Sequence, residues 1–166
     1  MDRQILHIDP ANRSRPLFQI IGWQERVQLP SFGSQPLVAK IDTGASMSCL
    51  HAYDFRRRWH DDQMRVSFRT NHPAGWTNSS RRFSARVIDL IAVRSSNGKL
   101  ERRYVIETQM KLGSNILQGI RLTLSDRSAM QFPLLLGRDA ISGFYAVDSG
   151  RTFVLESPSR DDFYLT

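Results

Sequence analysis

Cysteine is almost absent, with Cys49 standing alone in 166 residues. No intrachain disulfide can form, which fits a reducing compartment and makes the cytoplasm the default location. Paired cysteines and a His-Glu-x-x-His run are missing, and His7, His51, His60 and His72 are scattered along the chain. No metal site is expected from such a pattern. Neither a phosphate-cradling loop nor a glycine-rich dinucleotide fingerprint occurs, so nucleotide hydrolysis has no visible machinery and no cofactor is expected. No run approaches the roughly 18 apolar residues of a membrane span. The stretch from Met1 to Pro16 carries charge where a signal peptide needs an apolar core. Lysine is scarce too, limited to Lys40, Lys99 and Lys111.

Arginine fills that gap and brings the net charge to +7. A surface of this kind attracts polyanions, and the planar guanidinium fork favours carboxylate or phosphate over a diffuse counter-ion. Hydrophobic content of 40% and charged content of 23% suit one globular domain with a real core. Residues 1–16 mix charge and proline without periodicity and read as an N-terminal arm. Residues 17–156 read as the domain, and 157–166 as a polar C-terminal tail.

Within the domain, strand signals dominate and helical periodicity never persists beyond about two turns. Residues 17–29 suit a strand with a bend or bulge at Gly22. A turn over Pro30–Pro36 then leads into the apolar run Leu37–Ile41. Residues 46–60 fit either a strand or a short helix, and Arg56-Arg57-Arg58 reads as the start of a polar loop. Met64, Val66 and Phe68 alternate with polar residues over 64–70, the pattern of a half-buried strand. A long loop is expected over 71–80. Phe83–Val93 and Leu100–Met110 flank Asn97-Gly98, a strong hairpin signal. A further hairpin turns near Gly113 into Ile116–Leu124. Leu134-Leu135-Leu136 then meets Gly137, with a short helical turn after it. Two strand-like pieces, Phe144–Asp148 and Thr152–Leu155, are expected around a turn at Gly150. The sum is a mostly antiparallel, all-β domain.

Few residues offer chemistry. Cys49 is better explained as a small core residue than as a nucleophile served by His51. Trp59, Trp76 and Phe83 lie among arginines, an interleaving that can stack bases, although no recognisable RNA-binding motif accompanies it. Asp42-Thr43-Gly44-Ala45 is different, because an apolar strand ends there on a carboxylate and a glycine turn. One carboxylate cannot act as base and acid at once. Two about 3 Å apart can, by sharing a proton. This chain has a single Asp-Thr-Gly, so the second must come from another copy across a two-fold axis.

Asp42-Thr43-Gly44-Ala45 together with Leu134-Leu135-Leu136-Gly137-Arg138-Asp139 resembles the retropepsin-like aspartic proteases. With Ile21-Gly22-Trp23, Leu50-His51-Ala52 and Arg103-Tyr104-Val105-Ile106 added, the chain is most similar to the RimK-associated, RimB-type endopeptidases. Those proteins bear the label "ATP-dependent zinc protease", for which neither an ATP nor a zinc site is visible here.

The resemblance implies a closed β-barrel half with a flap hairpin and one short helix after the Leu136-Gly137-Arg138 strand. It implies Asp42 as the catalytic residue, Thr43 as a brace across the two-fold axis, and Gly44 and Ala45 along the substrate backbone. Leu136, Gly137 and Arg138 would support the turn. The flap would have its tip near Ser95–Gly98, with 71–80 as a competing loop, and an insertion would fall within 54–82. In viral relatives the arginine bonds a carboxylate four residues after the catalytic aspartate. That position is Ser46 here, so Arg138 needs another partner, Asp139 or a backbone carbonyl.

The same resemblance implies a peptide or protein substrate, with the glutamate tail that RimK-type ligases add to a ribosomal protein as a candidate. Arg94, Lys99, Arg102 and Arg103, beside the flap, are the candidate substrate contacts. A homodimer without membrane attachment is expected, and nucleic acid stays open on charge alone. The competing reading is a non-catalytic basic β-domain that binds ribosomal RNA or protein.

Overall fold

The structure is a computed structural model and describes residues 18–33, 35–71, 82–94, 98 and 100–156. The arm over 1–16, the tail over 157–166, most of the 71–80 loop and most of the expected flap tip lie outside the described residues. So do Trp76 and Lys99.

Among the described residues ten strands form a single sheet. In chain order they are β1 (Gln19–Gln28), β2 (Leu37–Ile41), β3 (Ser48–His51), β4 (Tyr53–His60), β5 (Gln63–Arg69), β6 (Arg82–Arg94), β7 (Leu100–Leu112), β8 (Asn115–Ser125), β9 (Leu134–Leu136) and β10 (Tyr145–Thr152). A short helix, α1 (Arg138–Ile141), follows β9, and a 3-10 turn covers Val154–Glu156. The spatial order is β10-β1-β2-β9-β3-β8-β7-β6-β5-β4, and β1 also pairs with β7. That extra pairing, Val27 with Leu112 and Gln28 with Lys111, closes six of the strands into a barrel. The expected all-β, retropepsin-like barrel half is therefore what the chain builds.

The barrel closes because alternate residues of its strands are apolar and point inward. Leu37, Ala39, Leu50, Ile106, Met110, Leu112, Leu122, Leu134 and Leu136 are all buried in one cluster. Phe32, Phe68 and Phe83 extend this core under the outer strands through edge-on and tilted ring contacts. Phe83 is thereby committed to packing. Cys49 is buried, as a small core residue should be. Among the described residues no helix is long and apolar enough to cross a membrane.

Two segments differ from the sequence reading. Residues 53–60, including Arg56-Arg57-Arg58, continue as strand β4 and do not loop. β4 pairs antiparallel with β5, and Asp61 and Asp62 turn the corner with φ of 47° and 57°. Two successive positive φ values suit a two-residue hairpin turn, which aspartate tolerates better than most residues. This hairpin falls in the 54–82 region where extra chain is expected. At the other end, Phe144–Asp148 and Thr152–Leu155 are not two strands around a turn. β10 runs through Gly150, and its pairing with β1 skips from Asp148 to Thr152. Ser149–Arg151 is thus a bulge, held where Asp148 accepts the Gly150 N–H at 2.8 Å. Leu155 belongs to the 3-10 turn.

β2 and β3 are joined by only six residues, yet they are not neighbours in the sheet. β9 lies between them, parallel to β2 and antiparallel to β3. The connection must therefore pass over the end of β9, and it carries Asp42.

Candidate active site

The turn is built from the end of β2 outward. Ile41 pairs with Leu136, and the Asp42 N–H continues that ladder by donating to the Leu136 carbonyl at 2.8 Å. The chain then folds back on the aspartate. Oδ1 of Asp42 accepts the backbone N–H of Gly44 at 3.0 Å and of Ala45 at 3.2 Å. Ala45 N–H also reaches the Asp42 carbonyl at 3.2 Å. Both side-chain bonds fall on one oxygen, so the carboxylate is oriented by the backbone of its own motif. A Cβ at Gly44 would sit 3.3 Å from Asp42 Oδ1, so any larger residue would press on that oxygen. Asp42 itself is half-buried, while Thr43 and Gly44 are exposed.

Residues almost a hundred positions away hold the other side of the turn. Arg138, the first residue of α1, donates from one guanidinium nitrogen to the Thr43 carbonyl at 2.8 Å and the Gly44 carbonyl at 3.0 Å. Its partner is thus the backbone of the motif, one of the two options open in the sequence. The backbone N–H groups of Arg138 and Asp139 donate to the Ala45 and Ser46 carbonyls at 3.0 and 3.1 Å. Gly137 makes this approach possible. A Cβ there would fall 2.5 Å from the Met47 carbonyl carbon and 2.6 Å from its oxygen.

Sequence reasoning missed Ser48. Its hydroxyl accepts the Gly137 N–H at 3.1 Å and donates to Asp139 Oδ1 at 3.1 Å, while its carbonyl accepts the Thr123 hydroxyl at 2.9 Å. Fully buried, it couples β3, β8, β9 and α1 at one point. The only signal was a polar residue opening the apolar run Cys49-Leu50, too common to single out.

β6 and β7 form the expected hairpin, with Arg94 paired to Leu100 at its described end. Arg94 and Arg102 are exposed on it, and Arg94 reaches the Gly98 carbonyl at 3.5 Å. Arg103 is placed differently. Nε and one terminal nitrogen both meet Glu101 Oε2, at 2.9 and 2.7 Å, and the other terminal nitrogen lies 3.8 Å from Cys49 Sγ. Glu101 in turn accepts from the Ser125 hydroxyl at 3.3 Å. Arg103 thus ties the foot of the hairpin to β3 and β8. His51 is buried, and its Nδ1 takes the Arg127 N–H at 2.8 Å and lies 3.6 Å from Asp126. Among the described residues no group of three or more His, Cys, Asp or Glu is placed to hold a metal ion.

A carboxylate at a strand end, oriented by its own glycine turn and clamped by a Gly-Arg pair from a crossing strand, has a counterpart among known proteins. Residues 20–158 match the family model described as RimB-like, retropepsin-like aspartic endopeptidase RimB. The chain belongs to this family. Membership supports an activity of the aspartic-protease type for the RimB-like chain. Relatives from Shewanella pealeana and Desulfotalea psychrophila are 37% and 35% identical over 82% and 86% of this chain, and each is named "Probable alpha-L-glutamate ligase". The chain spans only 30% and 31% of their respective lengths. A crystal structure of a Legionella pneumophila protein of unknown function (DUF785) shares the fold with a TM-score of 0.68 and 28% identity. The match covers 82% of this chain and 97% of that one.

Proposed function

We propose that two copies of this chain form a cytoplasmic aspartic endopeptidase, each supplying Asp42 to one shared site. Residues 17–156 are the catalytic domain in this reading, flanked by the arm and the tail. The observation that carries it is the Asp42 turn: Oδ1 is fixed by Gly44 and Ala45, and the outer carbonyls of the turn are held by Arg138. A solvated turn aspartate has no need of that grip from a segment 95 residues away. The exposure of Thr43 and Gly44 leaves the turn accessible to a second copy.

In the reaction, the ionised carboxylate of one Asp42 takes a proton from a water held between the pair. The resulting hydroxide attacks the peptide carbonyl carbon. The protonated carboxyl of the other Asp42 donates a hydrogen bond to the developing oxyanion. A proton then passes to the amine nitrogen as the C–N bond breaks. The hairpin of β6 and β7 acts as the flap that keeps bulk water out. Arg94, Lys99 and Arg102 around it receive an acidic peptide, and Arg103 fixes its foot. The names of the glutamate-ligase relatives suggest the substrate, a glutamate tail of the kind such a ligase would add.

The test is to incubate the chain and its Asp42→Asn variant with a peptide ending in several glutamates and to read the products by mass spectrometry. Loss of glutamates with the unaltered chain alone is expected. Turnover retained by Asp42→Asn refutes the mechanism, and a chain that sediments as a monomer at micromolar concentration during turnover refutes the shared site.

A further inference from the structure

The cationic surface of β4, β5 and β6 has no part in the proposed chemistry. Cross-strand pairing places Arg58 opposite Arg65 and Arg65 opposite Arg86, so three guanidinium-bearing positions form one row across three strands. Arg56 and His60 share that face by the two-residue alternation of β4, next to Ser67 and Ser84. Like charges directly opposite one another in a sheet are destabilising. Elsewhere on this face the charge is compensated: Asp54 pairs with Arg69 and Arg82 and approaches Arg56 at 3.9 Å. Among the described residues no ion pair engages Arg58, Arg65 or Arg86. Protection of a free sheet edge explains an arginine on β4, the last strand in the order. It does not explain Arg65 and Arg86, which lie on strands paired on both sides.

A groove of about 370 Å³ runs over this face, lined by Arg56, Arg58, Trp59, Arg65, Ser67 and Ser84 among others. Trp59 pairs with Met64, so its ring alternates to the reverse side of β4; it borders the groove at the free edge of that strand and is 67% exposed, a large apolar ring that a ligand passing over the edge meets. Glutamate side chains carry charge but no flat face. Nucleotides carry both, and a basic track with an exposed aromatic platform is how sequence-tolerant single-strand binding is built.

We propose that this face binds single-stranded nucleic acid, with phosphates on the Arg58–Arg65–Arg86 row and a base stacked on Trp59 where the strand passes over the free edge of β4. The surface is separate from the Asp42 turn and holds whether or not the chain cleaves peptides. Adjacent strands lie about 4.8 Å apart, so the row spans roughly 10 Å, room for two to three phosphates.

Fluorescence anisotropy with a labelled 12-nucleotide oligouridylate, across a salt series, tests it on the full chain. Binding is expected, with affinity falling as salt rises. Replacing Arg58, Arg65 and Arg86 together by serine should weaken binding at least tenfold and reduce the salt slope by about 2, near 0.7 per lost phosphate contact. Trp59→Ala should weaken binding about 5- to 100-fold with the salt slope unchanged. A triple lysine variant keeps the charge and controls for folding; it should retain the slope. Absence of oligouridylate binding, or binding that the serine variant leaves intact, overturns the proposal. So does tighter binding of a glutamate peptide of equal charge, which would assign the face to acidic protein.

Discussion

Ser48→Ala tests whether the candidate site is held together in the way the geometry indicates. The substitution removes one oxygen from a fully buried position and leaves the shape nearly unchanged. Two bonds disappear with it. The Gly137 N–H, now without its acceptor at 3.1 Å, stays buried because Met47 packs against that glycine. An unsatisfied buried donor costs about 1–3 kcal/mol. The bond to Asp139 Oδ1, also 3.1 Å, involves a carboxylate and contributes about 1.5–3 kcal/mol. The two losses share one atom and do not add fully, so about 2–4 kcal/mol is expected. Urea unfolding with a slope near 2 kcal/mol/M should then show the midpoint about 1–2 M lower with the slope unchanged. A double-mutant cycle with Asp139→Ala isolates the bond itself and should give a coupling of about 1–2 kcal/mol. A destabilisation below about 0.5 kcal/mol, or additivity with Asp139→Ala, would refute the assignment of Ser48 as the tie between β3 and α1.

Two further outcomes follow from buried polar groups away from the turn. Glu25 is fully buried and accepts the N–H groups of Gly22 at 2.7 Å, Val154 at 3.0 Å and Leu155 at 3.4 Å, which pins the 3-10 turn to β1. Glu25→Ala should cost about 3–5 kcal/mol in chemical denaturation, while Glu25→Gln, which keeps an oxygen for the two shorter bonds, should cost about 1–2; equal losses for both would disprove the role. Burial pushes the Tyr145 phenol above its ordinary value of 10.0, with the Asn115 amide at 3.0 Å working in the opposite direction. A raised folded-state value favours the neutral phenol, so this contribution is complete below pH 10 and drains away as pH rises through the folded value. Stability measured against pH should therefore fall less steeply above 10 in Tyr145→Phe, and an unaltered slope would rule the phenol out.

The part of the fold around the Asp42 turn was readable because its signals are local and strong. Leu37–Ile41 and Leu134–Leu136 are short apolar runs that each end on a residue with a distinct task, Asp42 and Gly137. Asn97-Gly98 announced the β6–β7 hairpin for the same reason. Illegible stretches lack the alternation on which such reading depends. β4 is exposed on both faces after its first residue, so apolar and polar positions do not alternate and three consecutive arginines look like loop. Ser149-Gly150 has the composition of a turn, yet β1 supplies enough pairing on either side to carry the strand through as a bulge. Ser48 stayed hidden because its value lies in where Gly137 and Asp139 end up, and serine has no pattern that reveals a partner 91 residues away.

The crossing of β9 between β2 and β3 also orders events in time. Asp42 is made before the groups that clamp its turn, which belong to residues 134–141, almost a hundred positions later. Until β9 threads between its two neighbours, the Asp42 N–H has no Leu136 carbonyl and the Thr43 and Gly44 carbonyls have no Arg138. Contacts so distant in sequence are slow to form, since a long loop must close before they contribute anything. A nascent or truncated chain therefore carries the aspartate without the assembled turn. The topology acts as a delay: the Asp42 carboxylate is held in its clamped turn only after residues 134–141 have been made and have folded back onto it.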